Sequence, residues 1–342
     1  MSPQHLLLSL AILISSTLAN PCPCGYVLNS TSASPASFTH HLQTDFTAPH
    51  PSLTWSDDPA SDWQAQAYNV SAPEARGPYG KAAQTGNAVL ASGNQGLDLY
   101  VRSALLDGEA VPIAEIVSTR EDMLYGSFRI GMQTTAVNGT CGAFFFYHND
   151  SQEIDLEILS TQQSRLHHPA NLVLQTPQSV SAGYNAAGTP DFALCNLTFD
   201  PTAGTHEYRF DWLPERVDMF ADGKWLNSFY EGVPGDAGAL HVIHWSNGDP
   251  LWSGGPPAQD AVLRVSYVKA WFNSSMSGTG RNCKSSDYCL VDALPGLPSS
   301  AAPNAGSSGA SGTKSSAPDT GGWSHLSVAI WFFAVGSTLA VA

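Results

Sequence analysis

Apolar and polar positions alternate with a period of two through the body of the chain, and a 3.6-residue period is hard to find. Residues 206–212, HEYRFDW, alternate cleanly, with Tyr208, Phe210 and Trp212 on one face. Residues 216–220 and 224–229 flank Ala221-Asp222-Gly223, and Asp-Gly between two such runs predicts a hairpin. Further strands are predicted over 111–118, 123–132, 142–148, 240–245 and 261–272, all rich in β-branched and aromatic residues. Gly and Pro clusters punctuate them: SAPEARGPYG, ASGNQG, SNGDP and WSGGPP. Many short strands, turn signals and no internal repeat predict two packed sheets. The stretches 20–84 and 160–185 show no clear period and read as loop-rich.

Both ends depart from this pattern. After His5, residues 6–14 are apolar, then come small residues and Thr17-Leu18-Ala19. That layout predicts a secretory signal over 1–19, too short to span a bilayer comfortably. Residues 294–322 are mostly Pro, Ser, Ala and Gly, and cannot bury enough apolar surface to offset their ordering entropy. Residues 323–342 then run apolar to the last position with no basic stop. Spacer and tail together match a signal exchanged for a glycosylphosphatidylinositol anchor, attached among residues 308–312 or at Asn304. A permanent tail anchor is the alternative, set against the leader at the other end. Between the ends, residues 20–293 suffice for one large all-β domain.

Charge and cysteines narrow the class. The net charge is −15 with only 14 Lys plus Arg, which argues against nucleic acid or an anionic membrane surface as partner. A neutral ligand suits this balance. Six cysteines and N-x-S/T sites at Asn29, Asn69, Asn138, Asn149, Asn196 and Asn273 fit an oxidising, glycosylating compartment. Cys283 is placed to pair with Cys289 and Cys141 with Cys195, although six cysteines allow fifteen pairings. Cys22 and Cys24 are too close to pair with each other, so one or both tie the N-terminus elsewhere. A zinc site is the rival reading, and no C-x2-C pair supports it.

The segment E-I-D-L-E at 153–157 stands out in a chain so poor in charge. On a strand, Glu153, Asp155 and Glu157 share one face while Ile154, Leu156 and Ile158 share the other. An edge strand carrying charge against aggregation is the bland explanation. It sits poorly with like charges on one face, no nearby Lys or Arg, and the wholly apolar run GAFFFY just before. Chemistry gives a better reason. Retaining glycoside hydrolysis needs two carboxyls about 5–5.5 Å apart, one nucleophile and one acid/base. Residues i and i+4 on a strand lie about 13 Å apart at Cα, a gap two Glu side chains can mostly close over a curved sheet. Asp155 between them can hydrogen-bond one Glu and, as a like charge, help raise the pKa of the one kept protonated.

EIDLE matches the E-x-D-x-E signature of glycoside hydrolase family 16, in the form without an extra residue in the strand. The surroundings resemble that family over about 125–272. YGSFRIGM is similar to its strand leading toward the active site, and GAFFFYHNDSQEIDLE to its apolar strand, turn and catalytic strand. HEYRFDWLPERVDMFADGKW and HWSNGDPLWSGGPP resemble its later hairpin and tryptophan-bearing segments. The resemblance implies a β-jelly-roll sandwich of the concanavalin A-like lectin/glucanase type, with a concave sheet forming an open cleft for β-glucan. It implies Glu153 as nucleophile, Asp155 as assisting residue and Glu157 as acid/base. Trp252 and Trp245 match positions where tryptophans lie near the cleft and stack on sugars, with core packing as the alternative for each. Tyr147, Asn247 and Gln175 are further candidates to orient hydroxyls, and His148 is a candidate for function or plain exposure. No cofactor or metal ligand is assigned. Family members often carry a structural calcium on the convex side, and its ligands are not located in this sequence.

The N-terminal NPCPCGYVLNS and the stretch up to Gln84 do not match short bacterial β-glucanases. With the anchor signal they look more like fungal cell-wall members of the family. Three functions stay open: an endo-acting β-glucan hydrolase, a wall-remodelling transglycosylase with a glycan acceptor, and a lectin on the same sandwich. The intact pair of Glu argues against the lectin, since binding needs no acid/base.

Overall fold

The computed structural model describes residues 22, 24–28, 36–48, 61–276 and 288–291. The expected leader, linker and anchor signal, and also Asn29 and Cys283, lie outside the described residues. One sheet runs in the order Phe192–Asn196, Pro169–Gln175, Gln152–Leu159, Cys141–Asn149, Ala239–Trp245, Ala110–Ser118, Gly80–Ala83 and Tyr68–Val70, and Trp63–Ala65 also pairs with Ala110–Ser118. The second runs Lys224–Phe229, Arg216–Ala221, His206–Leu213, Met123–Gln133, Ala261–Ser274, Leu97–Val101 and Ala88–Leu90, with His40–Asp45 also on Ala261–Ser274. These two sheets face each other as a sandwich.

The alternation expected from sequence sets the packing. Phe144, Phe146, Ile154, Leu156 and Val242 from the first sheet meet Phe128, Phe210, Trp212 and Val268 from the second in one buried core. At the hairpin, Asp222 and Gly223 both take positive φ (47° and 71°), as a two-residue type I′ turn requires. The expected strands are present with ends shifted by a residue or two. Ala88–Leu90, Leu97–Val101, Pro169–Gln175, Phe192–Asn196 and the short strands before Gln84 are additions to the reading from sequence.

Trp212 anchors this core. It is fully buried, lies 4.3 Å from the Phe146 ring centroid, and donates from its indole nitrogen to the Pro234 carbonyl at 2.9 Å. Trp212→Ala removes that contact area and leaves a cavity and an unpaired carbonyl, so thermal or urea unfolding is expected to show a loss of about 3–5 kcal/mol. A loss under about 1 kcal/mol would mean the core closes over the gap.

On the outer face of the second sheet lies a small third sheet, Ser37–Phe38, Tyr26–Val27 and Cys289–Leu290, with the last two parallel. Cys22, Tyr26, Leu28, Phe38 and Val291 pack there against Trp271. Cys22 and Cys289 form a disulfide, with Cα atoms 5.4 Å apart. This corrects the expected Cys283–Cys289 loop, and the Cys141–Cys195 pair is also absent: both are free thiols. The physical reason is the sheet. Cys141 faces outward from the first sheet, whereas Cys195, three strands away, packs against the inter-sheet core. Of the described glycosylation sequons, Asn69, Asn138 and Asn196 are exposed, while Asn149 and Asn273 are half-buried with hydrogen-bonded amides.

Candidate active site

The strand Gln152–Leu159 lies inside the first sheet, between Cys141–Asn149 and Pro169–Gln175. Its pairing holds register from Glu153 to Leu159, so no bulge breaks the alternation. Ile154, Leu156 and Ile158 enter the inter-sheet core, and Glu153, Asp155 and Glu157 line the opposite face. Each charged residue has a same-face neighbour across the ladder. Tyr147 and Gln175 flank Glu153, Phe145 and Val173 flank Asp155, and Ala143 and Asn171 flank Glu157.

This face is more enclosed than an open cleft. Glu153, Asp155 and Glu157 are 2%, 2% and 1% exposed. Two loops rooted at opposite ends of the sheet cover the Glu153 side. Arg76, at the end of the short helix Ala72–Ala75, places its guanidinium carbon 3.5 Å from the ring centroid of Tyr184. The Tyr184 hydroxyl donates to Asp150 at 2.6 Å, and the Tyr147 hydroxyl donates to the other oxygen of the same carboxylate at 2.8 Å.

Enclosure sets the electrostatics. Burial raises the pKa of Glu157 well above the carboxylate range, and Asp155 beside it adds to the rise. Burial also raises Asp155, whose carboxyl shares a hydrogen bond with Glu153. Glu153 is raised by burial too, while that hydrogen bond favours its charged form. Burial thus pushes all three carboxyls up, Glu153 to about 8, and in the bond that Asp155 and Glu153 share, Asp155 is the donor and Glu153 the acceptor. Lys81, buried in Gly80–Ala83, is pulled down to about 7 by burial against the opposing influence of Glu115. Glu115 accepts from Tyr68 and lies 2.7 Å from the His241 ring nitrogen, so a second ionisable group sits on the same sheet face.

These shifts carry a sign. A group whose folded pKa is raised stabilises the fold below its unfolded pKa, and that contribution is lost as pH rises through the folded value. Glu157→Gln removes the loss. Its melting temperature is expected to exceed that of the unmodified protein by an amount that grows from about pH 4 toward neutrality, roughly 2–4 °C for each 1 kcal/mol. A gap that is flat in pH, measured by calorimetry, would contradict the raised pKa.

The structure gathers the other candidates around this face in different roles. Trp245 and Trp252 are both fully buried in the same apolar cluster, and the Trp252 indole sits close enough to Glu157 to offset part of the rise in its pKa. Gln175 is buried beside Glu153, its carbonyl oxygen accepting from Ser179. Tyr147 is half-buried next to Glu153. Asn247 is engaged in loop structure: its amide donates to the Ala75 carbonyl at 2.7 Å and accepts from Ser253 at 2.8 Å. His148 is exposed, with a ring nitrogen 2.6 Å from the Ala237 carbonyl. Sequence reasoning missed Cys141, whose thiol hydrogen-bonds Glu157, as well as Lys81, Glu115, Arg76, Tyr184 and Asp150. For Cys141 a signal existed, since it shares the alternating face of Ala143, Phe145 and Tyr147. Among the described residues, no group of three or more His, Cys, Asp or Glu side chains converges to hold a metal ion.

Comparisons with known proteins agree with this geometry. The sequence profile described as Glycosyl hydrolases family 16 matches residues 81–261, more than half of the chain. A beta-glucanase of Acetivibrio thermocellus is 26% identical over 156 residues, covering 44% of this chain and 43% of that protein. A beta-glucanase of Paenibacillus polymyxa is 25% identical over 137 residues, covering 38% of this chain and 52% of that protein. The chain thus spans about half the length of these relatives. Among solved structures, the Bacillus licheniformis beta-glucanase superposes with a TM-score of 0.53 at 17% identity, over 68% of this chain and 98% of that one. The laminarinase from Rhodothermus marinus gives 0.52 at 20% identity, over 68% and 96%. At such identity the superpositions speak for the fold, a jelly-roll sandwich. With the profile match extending across the carboxylate strand and the sheet that carries it, the chain belongs to glycosyl hydrolases family 16.

Proposed function

We propose that the protein is a retaining glycoside hydrolase that cuts β-glucan internally through a covalent intermediate on Glu153. The observation that carries this reading is the unbulged strand that puts Glu153 and Glu157 on one enclosed face, with the Asp155 carboxyl hydrogen-bonded to Glu153. In the first step Glu157 gives its proton to the glycosidic oxygen while the Glu153 carboxylate attacks the anomeric carbon. The leaving sugar departs with that proton. In the second step the Glu157 carboxylate takes a proton from water, whose oxygen displaces Glu153 with net retention. Asp155 holds the Glu153 carboxylate in place and favours its ionised form. The similar bacterial proteins are beta-glucanases by name, which supports the substrate class.

Incubation with laminarin, lichenan, xyloglucan and chitin oligomers tests the proposal, scoring product length and, by proton NMR, the first anomer formed. Shorter β-glucan products with retained configuration are expected, and no cleavage of any β-glucan would overturn it. Products longer than the substrate would mark a wall-remodelling transglycosylase, in which a sugar hydroxyl replaces water.

The proposal includes a place of action: the cell surface, with residues 1–19 removed and a lipid anchor replacing everything after an attachment residue among 308–312 or at Asn304. The sequence of the two ends supports this. Phosphatidylinositol-specific phospholipase should release the native protein from membranes, and retention after deletion of 323–342 would overturn it.

A further inference from the structure

Every catalytic carboxyl is nearly inaccessible, yet a polysaccharide must reach all of them, so something above them has to move. The cover over Glu153 has one point of closure. Arg76 comes from the loop before Gly80–Ala83, near one end of the sheet, and Tyr184 from the loop between Pro169–Gln175 and Phe192–Asn196, at the other. Both are non-glycine residues in the left-handed region, with φ of 55° and 65°. That conformation costs free energy and persists only where surroundings hold it, and here it occurs on both sides of one contact.

Both loops are held by their backbones, with Ala75 and Ala186 buried beside the two contact residues, so parting the pair is a movement of the Arg76 and Tyr184 side chains. The first loop is pinned to Asn247 through the Asn247 amide to Ala75 and the Tyr79 amide to the Asn247 carbonyl at 2.9 Å. At Gly77 an added Cβ would lie 2.5 Å from that same carbonyl oxygen, so the backbone seats there without a side chain. The second loop is closed at its base by Thr176 donating to Asp191 at 3.0 Å. Gly183, also at positive φ (74°), immediately precedes Tyr184. Between the tips there is the Arg76–Tyr184 stack, tied down by Tyr184 to Asp150.

We propose that Arg76 and Tyr184 form a latch across the catalytic face, and that its opening admits a β-glucan chain, making the pair a determinant of polymer against short-substrate specificity. This rests on the reading of the face as a β-glucan site. A latch closed in the free protein lowers apparent affinity by the fraction of molecules open, a burden that falls on a chain long enough to need both side chains parted. A monosaccharide-sized aryl glycoside needs far less room.

The test uses the full-length protein with Arg76→Gly, Tyr184→Gly and the double change. Glycine keeps the left-handed backbone without strain, so these variants are suited to fold. The loss of one guanidinium–ring contact and its hydrogen bonds should raise kcat/KM on lichenan or laminarin several-fold, up to about 10-fold. On an activated aryl β-glucoside the change should stay within about twofold. Tyr184→Phe, which keeps the ring and loses what its hydroxyl holds on Asp150 and Arg76, should fall between. Arg76→Lys keeps charge but not the planar stack, and should resemble Arg76→Gly. Lower polymer activity in the variants would make the pair a sugar contact, and equal losses on both substrates would make it a scaffold; either overturns the latch, as does no change. Association rates of laminarin oligomers with the Glu153→Ala protein, with and without the latch changes, give a readout that needs no turnover. If the unmodified protein cleaves no glycoside at all, the functional reading fails, and a faster association in the unlatched protein still upholds the latch.

Discussion

Glu153→Ala yields a folded protein whose turnover of β-glucan falls by a factor on the order of 10⁴ or more, because the covalent route loses its nucleophile. The fold survives because Glu153 faces away from the inter-sheet core, where Ile154 and Leu156 do the packing. The variant also sheds a buried carboxyl with a raised pKa, so its melting temperature should hold or rise. With an activated aryl β-glucoside, added azide enters the space left by the side chain and gives a glycosyl azide of inverted configuration. Steady-state rates, circular dichroism and NMR of the azide product check the three parts. Full activity in this variant would remove EIDLE from the catalytic role.

Glu157→Ala behaves differently, and the difference separates the two roles. Natural glucans and other substrates with poor leaving groups need a proton on departure, so their kcat/KM should drop by about 10²–10⁴-fold. A dinitrophenyl leaving group needs none and should still glycosylate Glu153, leaving an intermediate that accumulates because its base is gone. Azide then attacks that intermediate and restores turnover with retained configuration. The alkaline limb of the pH profile, set by the protonated Glu157 that burial and Asp155 hold up, should vanish for activated substrates. Inverted azide product, or an unmoved alkaline limb, would exchange or cancel the assignment.

The carboxylate strand was legible because its message is local. Three acids at every second position, with apolar residues between, state both the strand and the face that the acids line. The Asp222-Gly223 hairpin and the Tyr208, Phe210, Trp212 stripe were legible for the same reason. Pro169–Gln175 was not, although it is the immediate neighbour of the catalytic strand. Ala170 to Gln175 are buried on both faces, so ANLVLQ shows no alternation to read. The strands before Gln84 are two to six residues long, and most are too short to show a period; they exist through partners such as the parallel ladder of Gly80–Ala83 on Ala110–Ser118. Lys81, Arg76 and Tyr184 reach the site from such segments, and only the folded topology brings them together. The cysteines failed as a spacing argument because a pleated sheet places residues on opposite faces regardless of separation along the chain.

The staple on the outer face has a mechanical meaning. Cys289 is joined to the sandwich by two covalent routes: along the chain to Ser274, and through the disulfide to Cys22, which leads on to His40–Asp45. Those two destinations are neighbours, since His40–Asp45 is hydrogen-bonded along Ala261–Ser274. Tension applied at Val291 is therefore shared between adjacent strands rather than unzipping one. Because this attachment lies on the sheet opposite the carboxylates, force applied there reaches the carboxylate face only after crossing the whole core.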